Sequence, residues 1–159
     1  MRYISPALVL LFLSSVGQAK LLTFTADLSA AQTAPPSGCT YRDVPCSGTA
    51  TLVLDTETGA FSLSLKYITG KVGAMHIDHG EPGSNGKIVA LLAGSKSVTC
   101  GDGTWCRDIL ITDGFVVPLK NISAMIAGEN YIVVFGKTPV PESSPDGQGA
   151  IRGQLKLVQ

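Results

Sequence analysis

TATLVLDTETGAFSLSLKY, residues 49–67, decides the fold class of this chain. Ala50, Leu52 and Leu54 alternate with Thr49, Thr51 and Val53, and further on Phe61, Leu63, Leu65 and Tyr67 alternate with Ser62, Ser64 and Lys66. A period of two places every second side chain on the same face of a strand, so each run can bury one face and wet the other. Between the runs, Asp55-Thr56-Glu57-Thr58-Gly59 is rich in residues that satisfy turn backbone and ends in one that accepts positive φ. The stretch therefore predicts a β-hairpin. Its acids do not follow the EF-hand spacing, so the turn is not read as a calcium loop.

Working outward, the same alternation recurs where Leu22, Phe24, Ala26 and Leu28 are interleaved with Thr23, Thr25 and Asp27. Further strands are predicted over residues 73–78, 87–92, 109–117, 131–135 and 150–158. In the last of these Ile151, Leu155 and Leu157 form the apolar face, with Arg152, Gln154 and Lys156 on the solvent face. Ile122, Met125 and Ile126 have the spacing of one helical turn, with Asn121 available as its cap. Residues 139–147, with three prolines and two serines, read as a surface loop. About seven to nine short strands separated by turn signals predict an all-β fold, an antiparallel Greek-key β-sandwich.

The N-terminal segment reads differently. Arg2 is followed by an apolar run over residues 7–13 and then by Gly17-Gln18-Ala19, the order of a secretory signal peptide. That run is shorter than the roughly 20 apolar residues a membrane span requires, and no later stretch comes closer. Residues 1–19 are therefore expected to be removed, leaving residues 20–159 as one domain. The full chain has 12 basic and 12 acidic residues; without Arg2, 11 basic residues face 12 acidic ones, a net charge of −1. With so little net charge, and with lysines and arginines scattered singly, there is no electrostatic footprint for nucleic acid.

Cys39, Cys46, Cys100 and Cys106 make an even set, which in an exported chain reads as disulfides. Three pairings are open. Cys39 with Cys46 and Cys100 with Cys106 are favoured because each pair brackets a short loop rich in Gly, Pro or Asp. A zinc site would call for closer C-x-x-C spacing or nearby histidines.

Four stretches in order resemble the CHRD domain family, the chordin-type domain. The first is residues 24–36, a strand followed by Ala31-Gln32 and Pro35-Pro36. The second is Gly48-Thr49-Ala50-Thr51-Leu52, and the third is Ala74-Met75-His76-Ile77 running into Gly80-Glu81-Pro82-Gly83-Ser84-Asn85-Gly86. The fourth joins Asn130-Tyr131-Ile132-Val133-Val134 to Gly149-Ala150-Ile151-Arg152-Gly153-Gln154-Leu155. The resemblance implies an extracellular β-sandwich. The family occurs in chordin, which sequesters bone morphogenetic proteins, and in many small exported proteins. Its members often carry His-x-His in the third stretch and another histidine after the Tyr-x-x-Val strand; here those positions are Asp78 and Phe135.

His76 and His79 are the only histidines. Alternation puts His76 and Asp78 on one strand face and His79 on the other, so a joint site requires the strand to end near Asp78. Together with Glu81 these residues are candidate ligands for zinc or copper. The bland reading, in which His76 and Asp78 hydrogen-bond the backbone of the loop over residues 80–86, is preferred. No Gly-x-Ser-x-Gly elbow, phosphate loop or cofactor motif is present. The expectation is a non-enzymatic, secreted binding or matrix module, without cofactor, whose partner is an extracellular protein or matrix component. In a bacterium the corresponding location is the periplasm or cell surface. The alternative is a metal-binding protein or metal-dependent enzyme centred on His76, Asp78 and His79. Asn121-Ile122-Ser123 is a glycosylation acceptor in a eukaryotic host, and Trp105 is read as a core cover or a partner contact.

The secreted protein is predicted to begin at Lys20 and to contain no free thiol. Intact mass before and after reduction and alkylation checks both points, and recovery of Met1 or labelling without reduction would refute them.

Overall fold

The computed structural model describes residues 20–41, 43–68, 72–92, 96–99, 105–111, 114–136 and 149–158. The signal segment 1–19, Cys100 and the surface loop expected over 139–147 lie outside the described residues. The strands are β1 (Leu21–Ser29), β2 (Thr40–Tyr41), β3 (Val44–Pro45), β4 (Ser47–Asp55), β5 (Phe61–Ile68), β6 (Val72–His79), β7 (Lys87–Leu91), β8 (Lys96–Thr99), β9 (Trp105–Ile111), β10 (Asn130–Gly136), β11 (Gly149–Gln154) and β12 (Lys156–Leu157). One short helix, α1, spans Ile122–Ile126. Ten strands join in a single antiparallel sheet in the order β7-β6-β10-β11-β1-β4-β5-β9-β8, with β12 also on β1; β2 and β3 form a separate ribbon. The all-β antiparallel architecture read from the alternation is therefore the fold, and the facing halves of the sandwich come from one sheet curled on itself.

The hairpin that set the fold class is β4 and β5, paired from Ser47↔Ile68 to Leu54↔Phe61. Its turn is held by the Asp55 carboxylate, which accepts the N–H groups of Glu57 at 2.8 Å and Thr58 at 3.2 Å. These bonds favour the charged form and hold the Asp55 pKa below its ordinary value. Gly59 sits at φ 74°, and its carbonyl accepts the Val117 N–H at 2.8 Å. A Cβ there would collide with the Val117 carbonyl, so glycine is required on both counts.

Alternate residues of these strands meet in one core. Phe24, Leu52, Leu54, Leu63 and Leu65 are fully buried with Ile77, Ile132, Val134, Ile151 and Leu155, which come from the other half of the sheet. The core thus explains the curl, because only by closing over itself can a single sheet bury the same face of β4–β5 and of β6–β10. The closing segment seals the middle of the sheet. β1 pairs with β4 along one edge, while its other edge takes β11 at Ser29↔Arg152 and β12 at Phe24↔Leu157.

Three expectations need correction. The strand expected over 109–117 begins earlier, at Trp105, and ends at Ile111; Gly114 then turns the chain at φ 82°, and Val116 makes an isolated bridge to Ala60. The strand expected over 150–158 breaks at Leu155, whose N–H bonds the Asn130 carbonyl at 2.8 Å instead of continuing the ladder to β1. At α1 the buried residues are Ile122 and Met125, but the Asn121 side chain makes no capping bond. The favoured Cys39–Cys46 disulfide is present, Cα–Cα 5.4 Å, closing the loop that carries β2 and β3. Its proposed counterpart involves Cys100, beyond the described residues. Among the described residues no helix is long and apolar enough to cross a membrane.

Leu63 is fully buried where the two halves of the sheet meet. Leu63→Ala is expected to cost about 2–5 kcal/mol, read as a lower urea midpoint at unchanged m-value.

Candidate functional site

The polar face of β6, β10 and β11 carries the side chains that sequence analysis singled out, together with several it passed over. Cross-strand register places Asp78, Tyr131 and Gln154 in one row and His76, Val133 and Arg152 in the next. On an open sheet this face would be wet. Here Asp78, Tyr131, Val133 and Arg152 are all buried, Arg152 with only 2% of its surface exposed.

The cover over this face is the loop of residues 80–86, and Arg152 holds it. Its Nη1 donates to the Ser84 carbonyl at 2.6 Å and its Nη2 to the Glu81 carbonyl at 2.7 Å and to Gln154 Oε1 at 3.3 Å. The guanidinium carbon lies 3.4 Å from the centre of the Tyr131 ring, a cation–π contact strengthened by exclusion of water. Gln154 Nε2 donates to the carbonyls of Gly80 at 2.9 Å and Gly128 at 2.7 Å, tying the start of the loop to the turn before β10. The Tyr131 hydroxyl accepts the Gly86 N–H at 2.9 Å, and its pull favours the charged form of Asp78. Asn85 Nδ2 donates to the Ala34 carbonyl at 2.7 Å, tying the loop to the segment after β1. Gly86 has no room for a side chain, because a Cβ would run into the His79 carbonyl.

The expectation that His76 and Asp78 fix this loop through its backbone needs revising. Both do share a strand face, but Arg152, Gln154 and Tyr131 make the bonds to the loop. The alternation correctly put Arg152 and Gln154 opposite the apolar face, but Arg152 does not face solvent. The sequence offered one signal for it, a lone arginine between Ile151 and Gly153 in a closing strand of small and apolar residues.

His76 Nδ1 is 3.7 Å from Asp78 Oδ1, beyond hydrogen-bond length, and this buried oxygen has no hydrogen-bond partner among the described residues. The Phe135 ring packs on His76 with centroids 4.9 Å apart. His79 is exposed at the end of β6, which runs one residue beyond the expected stop at Asp78, so the strand pairs His79 with Asn130 and Lys87 and keeps the two histidines on opposite faces. Glu81 is exposed. Among the described residues no group of three His, Cys, Asp or Glu side chains gathers as a metal centre. Asn121 is half-buried beside α1; Trp105 lies on β9 opposite Thr99, its side chain outside the described set.

Burial pushes the Asp78 carboxyl above its ordinary pKa, against the opposing pull of His76, the Tyr131 hydroxyl and Arg152. Burial likewise raises the Tyr131 phenol and lowers Arg152.

An antiparallel β-domain that clamps one glycine-rich loop from a buried arginine is the class of protein these features define. The family model for the CHRD domain matches residues 24–155, and the chain belongs to that family. No curated protein matches it, and no solved structure does. His76 has the Asp78 carboxylate 3.7 Å from its Nδ1 and the Phe135 ring packed against its own.

An acid whose pKa is raised on folding binds its proton more tightly in the folded state, so its contribution to stability falls as pH climbs from the ordinary carboxylate range through the raised value. The Asp78→Asn variant should therefore gain stability relative to wild type as pH rises from about 4 to about 7. Urea unfolding across that range tests it, and a stability difference that stays constant or reverses would disprove the assignment.

Proposed function

We propose that the chain is a non-enzymatic extracellular binding module whose recognition surface is the clamped loop of residues 80–86 with the adjoining segment 31–36. One observation carries this reading. The loop's backbone is fixed by Arg152, Gln154 and Tyr131, while every residue from 81 to 87 is exposed. A fixed backbone lowers the entropy lost when a partner binds, and exposed side chains are what a partner reads. Export is supported by the signal-like N-terminal segment, the Cys39–Cys46 disulfide and the family. The non-enzymatic reading is supported by the sequence's lack of a recognised catalytic motif and by the cover of Phe135 over His76.

A second reading, metal binding at His76 and Asp78, is favoured by the unpartnered Asp78 oxygen 3.7 Å from His76 Nδ1. Such spacing is close to that between two ligands of one tetrahedral ion.

The two readings separate experimentally. Pull-down from the native extracellular fluid should recover a partner with wild type and with Lys66→Glu, on the far β5 strand, but not with Pro82→Glu. Melting curves with chelator and with added zinc or copper should not differ for wild type, and His76→Ala should melt lower with or without metal. Stoichiometric metal in untagged wild type, lost in His76→Ala, would displace the binding-module reading, as would capture indifferent to Pro82→Glu.

A further inference from the structure

Between the segment 31–36 and the loop around Pro82, Gly83 and Asn85 lies a cleft of about 480 Å³, floored by Arg152 and Gln154. The volume is that of a site for a small molecule or a chain end. Its walls carry Pro35, Pro36 and Pro82, which present rigid apolar surface with no backbone N–H. No acidic side chain lines it.

Most of the polar groups around the cleft are committed to the protein's own backbone. Gln32 Nε2 donates to the Asp27 carbonyl and to Ser29 Oγ, and Gln154 Nε2 donates to the carbonyls of Gly80 and Gly128. Arg152 is the exception. A guanidinium has five N–H groups, and the bonds to Ser84, Glu81 and Gln154 use one on Nη1 and two on Nη2. Among the described residues the Nε–H and the second Nη1 hydrogen have no acceptor.

The charge is also incompletely met. Among the described residues no carboxylate lies within salt-bridge distance of Arg152, and Asp78 acts on it only at longer range. A buried cation served by carbonyl dipoles and a π-face, under a cleft without acids, creates a positive field at the cleft floor. With one cation, no lysine in the lining and the charge of Asp78 acting on Arg152, this field suits a monoanion better than a dianion.

We propose that this cleft binds a carboxylate, carried by a small organic acid or by the C-terminus of a peptide, with Arg152 as its charge partner. The proposal rests on the binding-module reading and names the chemistry of that same surface. One carboxylate oxygen takes one of the N–H positions that the loop leaves open, Nε–H or the second Nη1 hydrogen, which point in different directions, so the clamp on Glu81 and Ser84 stays closed when the ligand is bound.

The test is ¹⁵N NMR titration of the intact domain, following the Arg152 Nε–H and the Gly83 amide. The probes are acetyl-Ala-Pro with a free carboxylate, the same dipeptide as its C-terminal amide, propionate and inorganic phosphate. The free-acid dipeptide or propionate should give saturable shifts at both reporters with Kd of about 1 mM or below, and the tighter of the two identifies the source of the carboxylate. The amide should bind at least about tenfold more weakly. Arg152 substitution risks unfolding, so exposed Gln32 on the cleft wall supplies the charge control: Gln32→Glu should weaken acid binding about three- to tenfold and Gln32→Lys strengthen it. Equal binding of acid and amide, or tighter binding of phosphate, overturns the carboxylate assignment while leaving the cleft as a binding surface. No saturable shift at Arg152 with any probe overturns the cleft as a site, and the binding-module reading then stands or falls on its own pull-down.

Discussion

A guanidinium buried under a loop sets the terms for one whole face of this domain. Taking a cation out of water costs several kcal/mol unless the protein replaces its hydration, and Arg152 recovers it from the carbonyls of Glu81 and Ser84, from Gln154 Oε1 and from the Tyr131 ring. Those carbonyls lie in place only because the loop closes tightly at Gly86, whose N–H meets the Tyr131 hydroxyl. Loop and cation are therefore mutually dependent. Without Arg152 the loop carbonyls would lose their donors, and without the loop there would be no cover to bury Arg152.

The apolar half of the fold was legible in the sequence because it rests on local facts. Alternation in residues 49–67 identifies which side chains share a face, Asp55 and Gly59 mark the turn, and the register found from Ser47↔Ile68 to Leu54↔Phe61 follows from both. Strand limits were less legible. The break at Leu155 arises from a tertiary bond to the Asn130 carbonyl, and the early end of β9 at Ile111 precedes the turn at Gly114. The first has no local signature, whereas the second does, in the turn dipeptide Asp113-Gly114. Cover was not legible at all: a period of two distinguishes the two faces of a strand but says nothing of what a distant loop lays over one of them, and so Arg152 was assigned to solvent.

The same limit separates His76, whose imidazole chemistry a sequence displays, from Arg152, whose burial it does not. The structure does bring His76, Asp78 and the Phe135 position together, so the spacing carried real spatial information. What differs in this chain is the content of those positions. A phenyl ring packs against the His76 imidazole, and one oxygen of Asp78 lies 3.7 Å from its Nδ1. The polar face has been turned toward holding the loop.

That arrangement divides labour within a short stretch of chain. From Glu81 to Lys87 the side chains are exposed, and the bonds that hold the loop to the sheet run through its main chain: the Gly80, Glu81 and Ser84 carbonyls and the Gly86 N–H. Asn85, which reaches the Ala34 carbonyl, is the side chain that also contributes to the fixing. A loop held by its backbone can change Glu81, Pro82 or Ser84 with little effect on the clamp, since carbonyl acceptors are common to all residues. Stability then resides in the apolar face and in Arg152, and specificity in a few exposed positions, which is the condition under which one β-scaffold can present different surfaces without refolding.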